Sequence, residues 1–488
     1  MTQESSKKVL IIGAGPAGLS AARILSESGY SVEIFELESQ VGGMSKSIEL
    51  FSQIVDIGPH RFFSKDKRLN DFWHSHTNGE YEKVSRLTRI FYNRKFFYYP
   101  LRGFDALLKL GFIESALCVL SYCKAKILPF RGDSFESWVA NAFGYRLYSI
   151  FFKGYTEKLW GIKGSELDSD FAAQRIKGLN LYEAIKSAFF GDGGKKHKTL
   201  VDEFSYPKKG CGVVYSNMKD EIIKRGGTIH CDVEVVGIKT HNKKAIGIIT
   251  NKGDFSGDIV ISTAPFRDMV LSLDELDSKT KDLAKKLKFR NTILVYMEVA
   301  QGLQDSQTQA HTKTINDTSL GTSLFKDNWI YVHSKDTQTG RITNFANWTK
   351  DLRCGKDSVI LCLEYWANDD EPLWNLDESA LSSMAKKDLL ESKLVADSRL
   401  IKNVAVLKIH KSYPIYERGY KEDLHKIYDA LDSFEDLYFI GRNGSFKYNN
   451  QDHSILMGLM CADKILGKEC DLWYINTDYD YQEGEKSE

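Results

Sequence analysis

Residues 9–18 run Val9-Leu10-Ile11-Ile12-Gly13-Ala14-Gly15-Pro16-Ala17-Gly18, and Glu36 closes the next apolar stretch, Ser31–Phe35. This spacing leaves few folds open. It calls for a buried parallel strand, a glycine turn, a helix, and a second strand ending in an acid. Gly13 permits the tight turn, Gly15 lets the backbone approach a pyrophosphate, and Gly18 lets helix and sheet pack closely. The helix N-terminus supplies free N–H groups and partial positive charge for that anion. Glu36 is positioned to accept hydrogen bonds from ribose hydroxyls. Together these features point to an adenine dinucleotide.

The following segment narrows the ligand. Val41-Gly42-Gly43-Met44-Ser45 comes directly after Glu36, and then Ile54-Val55-Asp56-Ile57-Gly58-Pro59-His60. A simple NAD site would continue into another helix and strand. A second glycine pair instead brings backbone back to the diphosphate, as expected when FAD lies extended across the domain. Gly43, Met44 and Ser45 are therefore cofactor-binding candidates.

Lys+Arg and Asp+Glu each total 66 in 488 residues, so no net charge directs the chain to nucleic acid or to an anionic membrane as its main partner. The eight cysteines are scattered with no Cys-x-x-Cys pair, and Cys118 and Cys123 read as packing residues of an apolar helix. The first residues run straight into the first strand, which predicts no signal peptide and a cytoplasmic protein. Residues 107–130 include the apolar run 116–122, but Lys109, Glu114, Lys124 and Lys126 interrupt it. That is short of a spanning helix. A buried helix or helix pair is expected there, with a peripheral membrane contact left open.

The remaining pattern predicts an α/β fold in which a discontinuous Rossmann-like FAD-binding domain carries two insertions. The FAD domain takes 1–85, 205–275 and 425–470, with a helical lobe at 101–200. An antiparallel-sheet substrate domain takes 86–100 and 276–424, and 471–488 form a flexible acidic tail. Residues 89–99 read as strand-like aromatic runs ended by Pro100. Phe135, Trp138, Val139, Phe143, Leu147, Phe151 and Phe152 recur near helical spacing, with Ser134 as a candidate cap. Residues 191–199 read as a polar loop. Strands are expected at 228–237, 244–250, 259–265, 290–299, 328–333, 358–366 and 437–441, and a helix at 451–466. Substrate is expected where the lobes meet the flavin ring.

Several stretches together resemble the UDP-galactopyranose mutases, within the flavoprotein group of amine oxidases and protoporphyrinogen oxidase. They are 42–45, 56–63, Tyr155-Thr156-Glu157-Lys158-Leu159-Trp160-Gly161, Ala173-Gln174-Arg175, 329–341, Tyr413-Pro414 and 441–454. The resemblance implies that N5 of a reduced flavin attacks the anomeric carbon of a nucleotide-activated sugar and expels the nucleoside diphosphate. The sugar ring opens and recloses at another hydroxyl, interconverting pyranose and furanose without net redox. NADPH or NADH is implied as the source of the reduced FAD.

The same resemblance implies the site residues. Arg341, Arg175, Tyr413 and Tyr448 match positions near the diphosphate, with Tyr331 beside them. Arginine's planar fork suits phosphate oxygens, and a phenol adds a neutral donor. Trp160 would wall the sugar pocket, with Thr156 one helical turn before it. His60 matches a histidine facing N5. Arg442 follows Gly441 where many amine-oxidase relatives carry an acid, and it would add positive charge near the flavin and substrate phosphates. Asn450, Gln451 and the start of the last helix would meet the flavin's pyrimidine edge.

Each of these residues also has a purely structural reading: core for Trp160, sheet packing for Tyr413, a satisfied loop residue for His60. Two other functions stay open. One is an oxidoreductase of the amine oxidase, protoporphyrinogen oxidase or desaturase type, in which oxidised FAD takes hydride from substrate. The other is a binding protein on this scaffold, like the GDP-dissociation inhibitors, against which the intact glycines and Glu36 speak. The nucleobase, the sugar and the oligomeric state are not legible.

Overall fold

The computed structural model describes residues 7–99, 101, 103–169, 203–300, 324–473 and 475. Among the described residues a five-stranded sheet has the order Leu437–Phe439, Ile259–Ser262, Lys8–Ile12, Ser31–Phe35, Thr228–His230. Every pairing in it is parallel. Strands from three distant parts of the chain thus share one layer, the mixed α/β architecture expected of a discontinuous nucleotide fold.

Side chains alternate cleanly through this sheet. Val9, Ile11, Val32, Ile34, Ile259 and Ile261 pack in one core with helices Pro16–Glu27, Gly212–Lys224 and Gln451–Ile465. Leu10, Ile12, Phe35 and Val260 face a second core with Ile238, Ala245 and Ile248. The latter three belong to an antiparallel three-stranded sheet, Val235–His241, Lys244–Thr250 and Gly253–Ser256. Strands apolar on both faces are what a doubly covered parallel sheet requires.

Another sheet has seven strands, in the order Ile401–Ile415, Lys288–Val299, Val359–Ala367, Arg341–Asn344, Trp329–Val332, Thr88–Tyr92, Lys95–Tyr98. All pairings are antiparallel except Trp329–Val332 with Thr88–Tyr92.

Two local expectations, the single strand at 228–237 and the burial of 107–130, need correction, and two others gain detail. The strand expected over 228–237 is two strands in different sheets. Parallel pairing ends at His230, and the N–H groups of Asp232 and Val233 donate instead to the carbonyls of Glu38 and Glu36. The aromatic run at 89–99 is a hairpin, turned by Asn93 (φ 47°) and Arg94 (φ 59°), a left-handed pair that suits the twist of two adjacent strands. The helical pattern over 135–152 breaks at Gly144 (φ 84°), where a Cβ would lie 2.6 Å from the Tyr122 nitrogen. Ser134 does cap the first piece, Phe135–Phe143, accepting from the Ser137 N–H at 3.1 Å. The segment at 107–130 is a helix pair, but its second helix, Phe112–Ile127, buries only Cys118 and Ala125 of its described side chains, and Cys123 is exposed. Residues 191–199, Pro100 and nearly all of the acidic tail lie outside the described residues.

Candidate active site

The first strand, turn and helix form as the glycines dictate. Gly13 takes φ 93°, and a Cβ there would sit 2.2 Å from Thr263 Oγ1. A Cβ on Gly18 would lie 2.2 Å from the Gly13 carbonyl oxygen and 3.2 Å from Ile11 Cγ2, so the helix can rest on the strand only without it. The second glycine pair folds back onto the first loop. The Gly42 N–H donates to the Ala14 carbonyl at 2.8 Å, and Gly43 (φ 53°) comes so close that its Cβ would be 3.1 Å from Gly15 Cα. A Cβ on Gly15 would meet nothing nearer than Gly43 Cα at 3.9 Å, leaving room above the helix N-terminus for a diphosphate.

Glu36 is buried at the end of its strand, its two carboxylate oxygens accepting from the Ala14 N–H (2.6 Å) and the Glu38 N–H (3.0 Å). Burial pushes its carboxyl above the usual range, against the pull of those two N–H groups. Each oxygen keeps a second lone pair for a ribose hydroxyl. The residues present therefore fit a flavin dinucleotide. Ser45 is buried under the loop, and Met44 is half-buried beside it.

Gly441 (φ 83°) packs so that a Cβ would be 2.9 Å from Ala17 Cβ, joining the last segment to the first helix. Asn450 caps the last helix in a reciprocal box with His453. Gln451 points inward: its Oε1 accepts from Tyr215 Oη at 2.6 Å, and its Nε2 donates to Cys211 Sγ at 3.5 Å. The Gln451 side chain is thus committed to the interior, and with the Asn450 and His453 N–H groups taken by the cap, the Gln451 and Asp452 N–H groups are the ones left at that helix start for a ligand.

One row of the seven-stranded sheet carries the polar centre. Tyr331 lies opposite Arg341, and Arg341 opposite Glu364. Arg341 Nε donates to Glu364 Oε1 at 2.6 Å and Nη2 to Oε2 at 2.5 Å, with Glu364 only 1% exposed. Burial opposes the guanidinium charge, but Glu364 outweighs it and holds the arginine well above its ordinary pKa. Arg341 is therefore a cation paired with Glu364. Its strand is preceded by a loop that Lys158 gathers, donating to the carbonyls of Ser334 and Thr337, both at 2.7 Å, and of Thr339 at 3.3 Å. Burial drops Lys158 to about 8.

An aromatic wall stands beside this row. Tyr413 and Tyr448 rings lie 5.4 Å apart, and the Arg442 guanidinium carbon is 4.5 and 4.3 Å from their centroids. Arg442 Nε and Nη1 donate to the carbonyls of Ser412 and Asn449, both at 2.9 Å. Arg442 thus ties strand Ile401–Ile415 to the 441–450 turn, a structural task the sequence did not reveal. Burial pushes the Tyr413 phenol up to about 12, against the pull of Arg341 and Arg442. Tyr155, whose ring is 5.4 Å from Tyr331, feels the charge of Arg341.

Trp160 is fully buried, with ring centroids 6.0 Å from Tyr413 and 5.9 Å from Tyr448. It backs the phenols from behind and offers no surface of its own. Thr156 is buried on the same helix, Lys153–Trp160. His60 Nε2 is 2.7 Å from the Ile57 carbonyl oxygen, and burial pushes the imidazole down to about 4, helped by Arg442 and Arg341. It is neutral at pH 7. A Cβ on Gly58 would lie 3.9 Å from His60 Nε2 and 4.0 Å from both Glu364 oxygens, so His60 and the ion pair border one space. Arg175 lies outside the described residues.

Residues 16–353, more than half of the chain, match the family described as flavin containing amine oxidoreductase. The chain belongs to that family. Within it, this flavoprotein is 30% identical over 175 residues to a probable UDP-galactopyranose mutase of Klebsiella pneumoniae, a stretch covering 33% of this chain and 43% of that one. It is 29% identical over 172 residues to the dTDP-fucopyranose mutase of Escherichia coli, with the same two coverages. The matched stretch thus spans less than half the length of these curated relatives. A crystal structure of reduced UDP-galactopyranose mutase shares the fold over 96% of both chains, with a TM-score of 0.82 and 22% identity. A putative protoporphyrinogen oxidase from Exiguobacterium sp. 255-15 shares it at a TM-score of 0.70 and 14% identity, over 94% of this chain and 99% of that one.

Sequence reasoning did not single out Glu364, Lys158 and Tyr155 around this candidate site, or the buried Asp56 behind the first loops. Two had a signal: Glu364 is a lone acid inside the apolar strand Val359–Ala367, and Asp56 closes the strand Gln53–Asp56 directly after Ile54 and Val55. Asp56 accepts from Ser47 Oγ (2.5 Å), Tyr206 Oη (2.8 Å) and the Cys211 N–H (3.1 Å), and burial raises it to about 6. Tyr155 and Lys158 lie in the resembling stretch 155–161, but their contacts were not legible, since their partners come from segments far away in sequence.

Proposed function

We propose that this flavoprotein is a nucleotide-sugar mutase that binds FAD and interconverts the pyranose and furanose rings of a sugar carried on a nucleoside diphosphate. The observation that carries this reading is the paired Arg341 and the Tyr331, Tyr413 and Tyr448 phenols, gathered beside a neutral His60. The likeness to two sugar-nucleotide mutases supports it. When bound and reduced, the flavin supplies the nucleophile, with NADPH or NADH as the source of electrons.

The side chains hold and steer the leaving diphosphate. Arg341 Nη1 makes no hydrogen bond among the described residues, so it is free to donate to a phosphate oxygen while Glu364 holds the rest of the fork. A diphosphate held this way meets donors on a cation whose charge Glu364 already balances, with Arg442 stacked on the neighbouring phenols. The tyrosines donate neutral O–H groups to the same oxygens. Arg175 belongs to this reading as a second cation. Neutral His60 holds its position on the Ile57 carbonyl and adds no charge near the ring.

The test compares redox states. FAD-loaded protein, reduced with dithionite under nitrogen, should interconvert UDP-galactopyranose and UDP-galactofuranose, resolved by chromatography, while the oxidised protein should not. Inactivity of the reduced protein across a panel of UDP- and dTDP-sugars would remove the proposal. So would oxygen consumption with peroxide release on adding an amine, the signature of an oxidase.

A further inference from the structure

Helix Phe112–Ile127 is the most conspicuous apolar surface among the described residues. Phe112 is 90% exposed, Ile113 76%, Leu120 65% and Ile127 78%. With Leu117 they follow helical spacing along one face, and Leu128 carries the face past the helix end. Isolated exposed apolar side chains are ordinary, but a contiguous face of this size marks a contact.

The charge around this face is one-sided. Lys124 and Lys126 lie in the last turn and Arg131 just beyond it, all three exposed. None has a carboxylate partner among the described residues; Lys126 donates only to the Asn141 carbonyl. Three nearby acids are already neutralised, Glu114 by Arg146, Asp105 by Lys109 and Asp133 by Arg418. A chain with equal numbers of acidic and basic residues thus gathers, among the described residues, three cations without carboxylate partners beside an exposed apolar helix face.

We infer that this face docks on the surface of an anionic lipid bilayer. Large apolar side chains would enter the headgroup–acyl boundary, and the three cations would meet lipid phosphates. Two features disfavour a second copy of this chain as the occupant. A 16-residue helix is about 24 Å long and about 10 Å across, well short of the ~800 Å² per partner of a stable interface. A twofold contact would also bring two positive patches together. No helix among the described residues is long and apolar enough to cross a membrane, so the contact is peripheral.

The full FAD-loaded chain should co-sediment with vesicles of equal phosphatidylcholine and phosphatidylglycerol at low salt. Binding should fall strongly on pure phosphatidylcholine and at high salt. Lys124→Gln and Lys126→Gln should each weaken partitioning about fivefold. Ile113→Glu with Leu120→Glu should abolish it while the flavin spectrum and melting temperature stay unchanged, since both side chains lie in solvent. The inference fails if the wild-type chain does not sediment with anionic vesicles, or if the double glutamate variant binds as well. It also fails if light scattering shows a wild-type dimer that the double variant converts to monomer, which would assign the face to a second copy.

Discussion

Glu364 changes what can be expected of Arg341. Removing the arginine alone strands a buried carboxylate, at a cost of about 3–5 kcal/mol. Arg341→Met should therefore unfold at markedly lower urea, and Arg341→Met with Glu364→Leu should recover most of that loss. UDP affinity in the double variant should stay weaker by about 1.5–3 kcal/mol, the value of a charged hydrogen bond. Full recovery of UDP binding in a titration would remove Arg341 from the ligand site. The buried titrating groups make a second residue-scale prediction. His60 titrates near 4 when folded against 6.5 unfolded, so its contribution to stability is complete above 6.5 and is lost as pH falls through 4. Asp56 runs the other way. Its folded value of about 6 against 3.8 makes it a growing penalty as pH rises from 3.8 to 6. Melting temperatures between pH 4 and 8 should show His60→Asn losing less on acidification than wild type, and Asp56→Asn losing less as pH rises to 6.

Between elements, close backbone approach is the recurrent requirement. The first and last helices meet where a Cβ on Gly458 would lie 2.4 Å from the Ala17 carbonyl oxygen. The first helix meets its own strand at Gly18. Gly18→Ala and Gly458→Ala should each lower stability by about 1–3 kcal/mol in denaturant titrations, the usual cost of overpacking. Gly18 announces itself through the spacing from Gly13 and Gly15, whereas Gly458 sits unmarked in the last helix. The second glycine pair was also readable, because two adjacent glycines directly after a strand-ending acid have few other uses. Strand ends were harder to read. Thr228–His230 and Val235–His241 read as one strand, and the choice of pairing partner separates them.

At the scale of the molecule, the dinucleotide cradle is assembled from segments near 9–45 and 437–465. Its sheet also includes strands from 228–230 and 259–262. A ligand spanning such a cradle binds only the folded chain. FAD added to the apoprotein should raise the melting temperature with concentration, by the equivalent of about 2.7 kcal/mol at a hundredfold excess over Kd. Gly15→Val should abolish that rise by filling the space above the helix N-terminus. A concentration-independent melting temperature in wild type would show that the cradle is not the flavin site.

The amino-acid sequence by itself determined the nucleotide fold, since glycine spacing, apolar runs and a terminal acid act through neighbours along the chain. It also nominated Arg341, Tyr331, Tyr413 and Tyr448 through short motifs. Tertiary structure decided what those groups are to one another: that Arg341 is shared with Glu364, that Arg442 stacks on two phenols, and that the helix at 112–127 faces outward. Those facts depend on which strands pair and which faces meet, and burial and charge pairing exist only once distant segments are brought within a few ångströms.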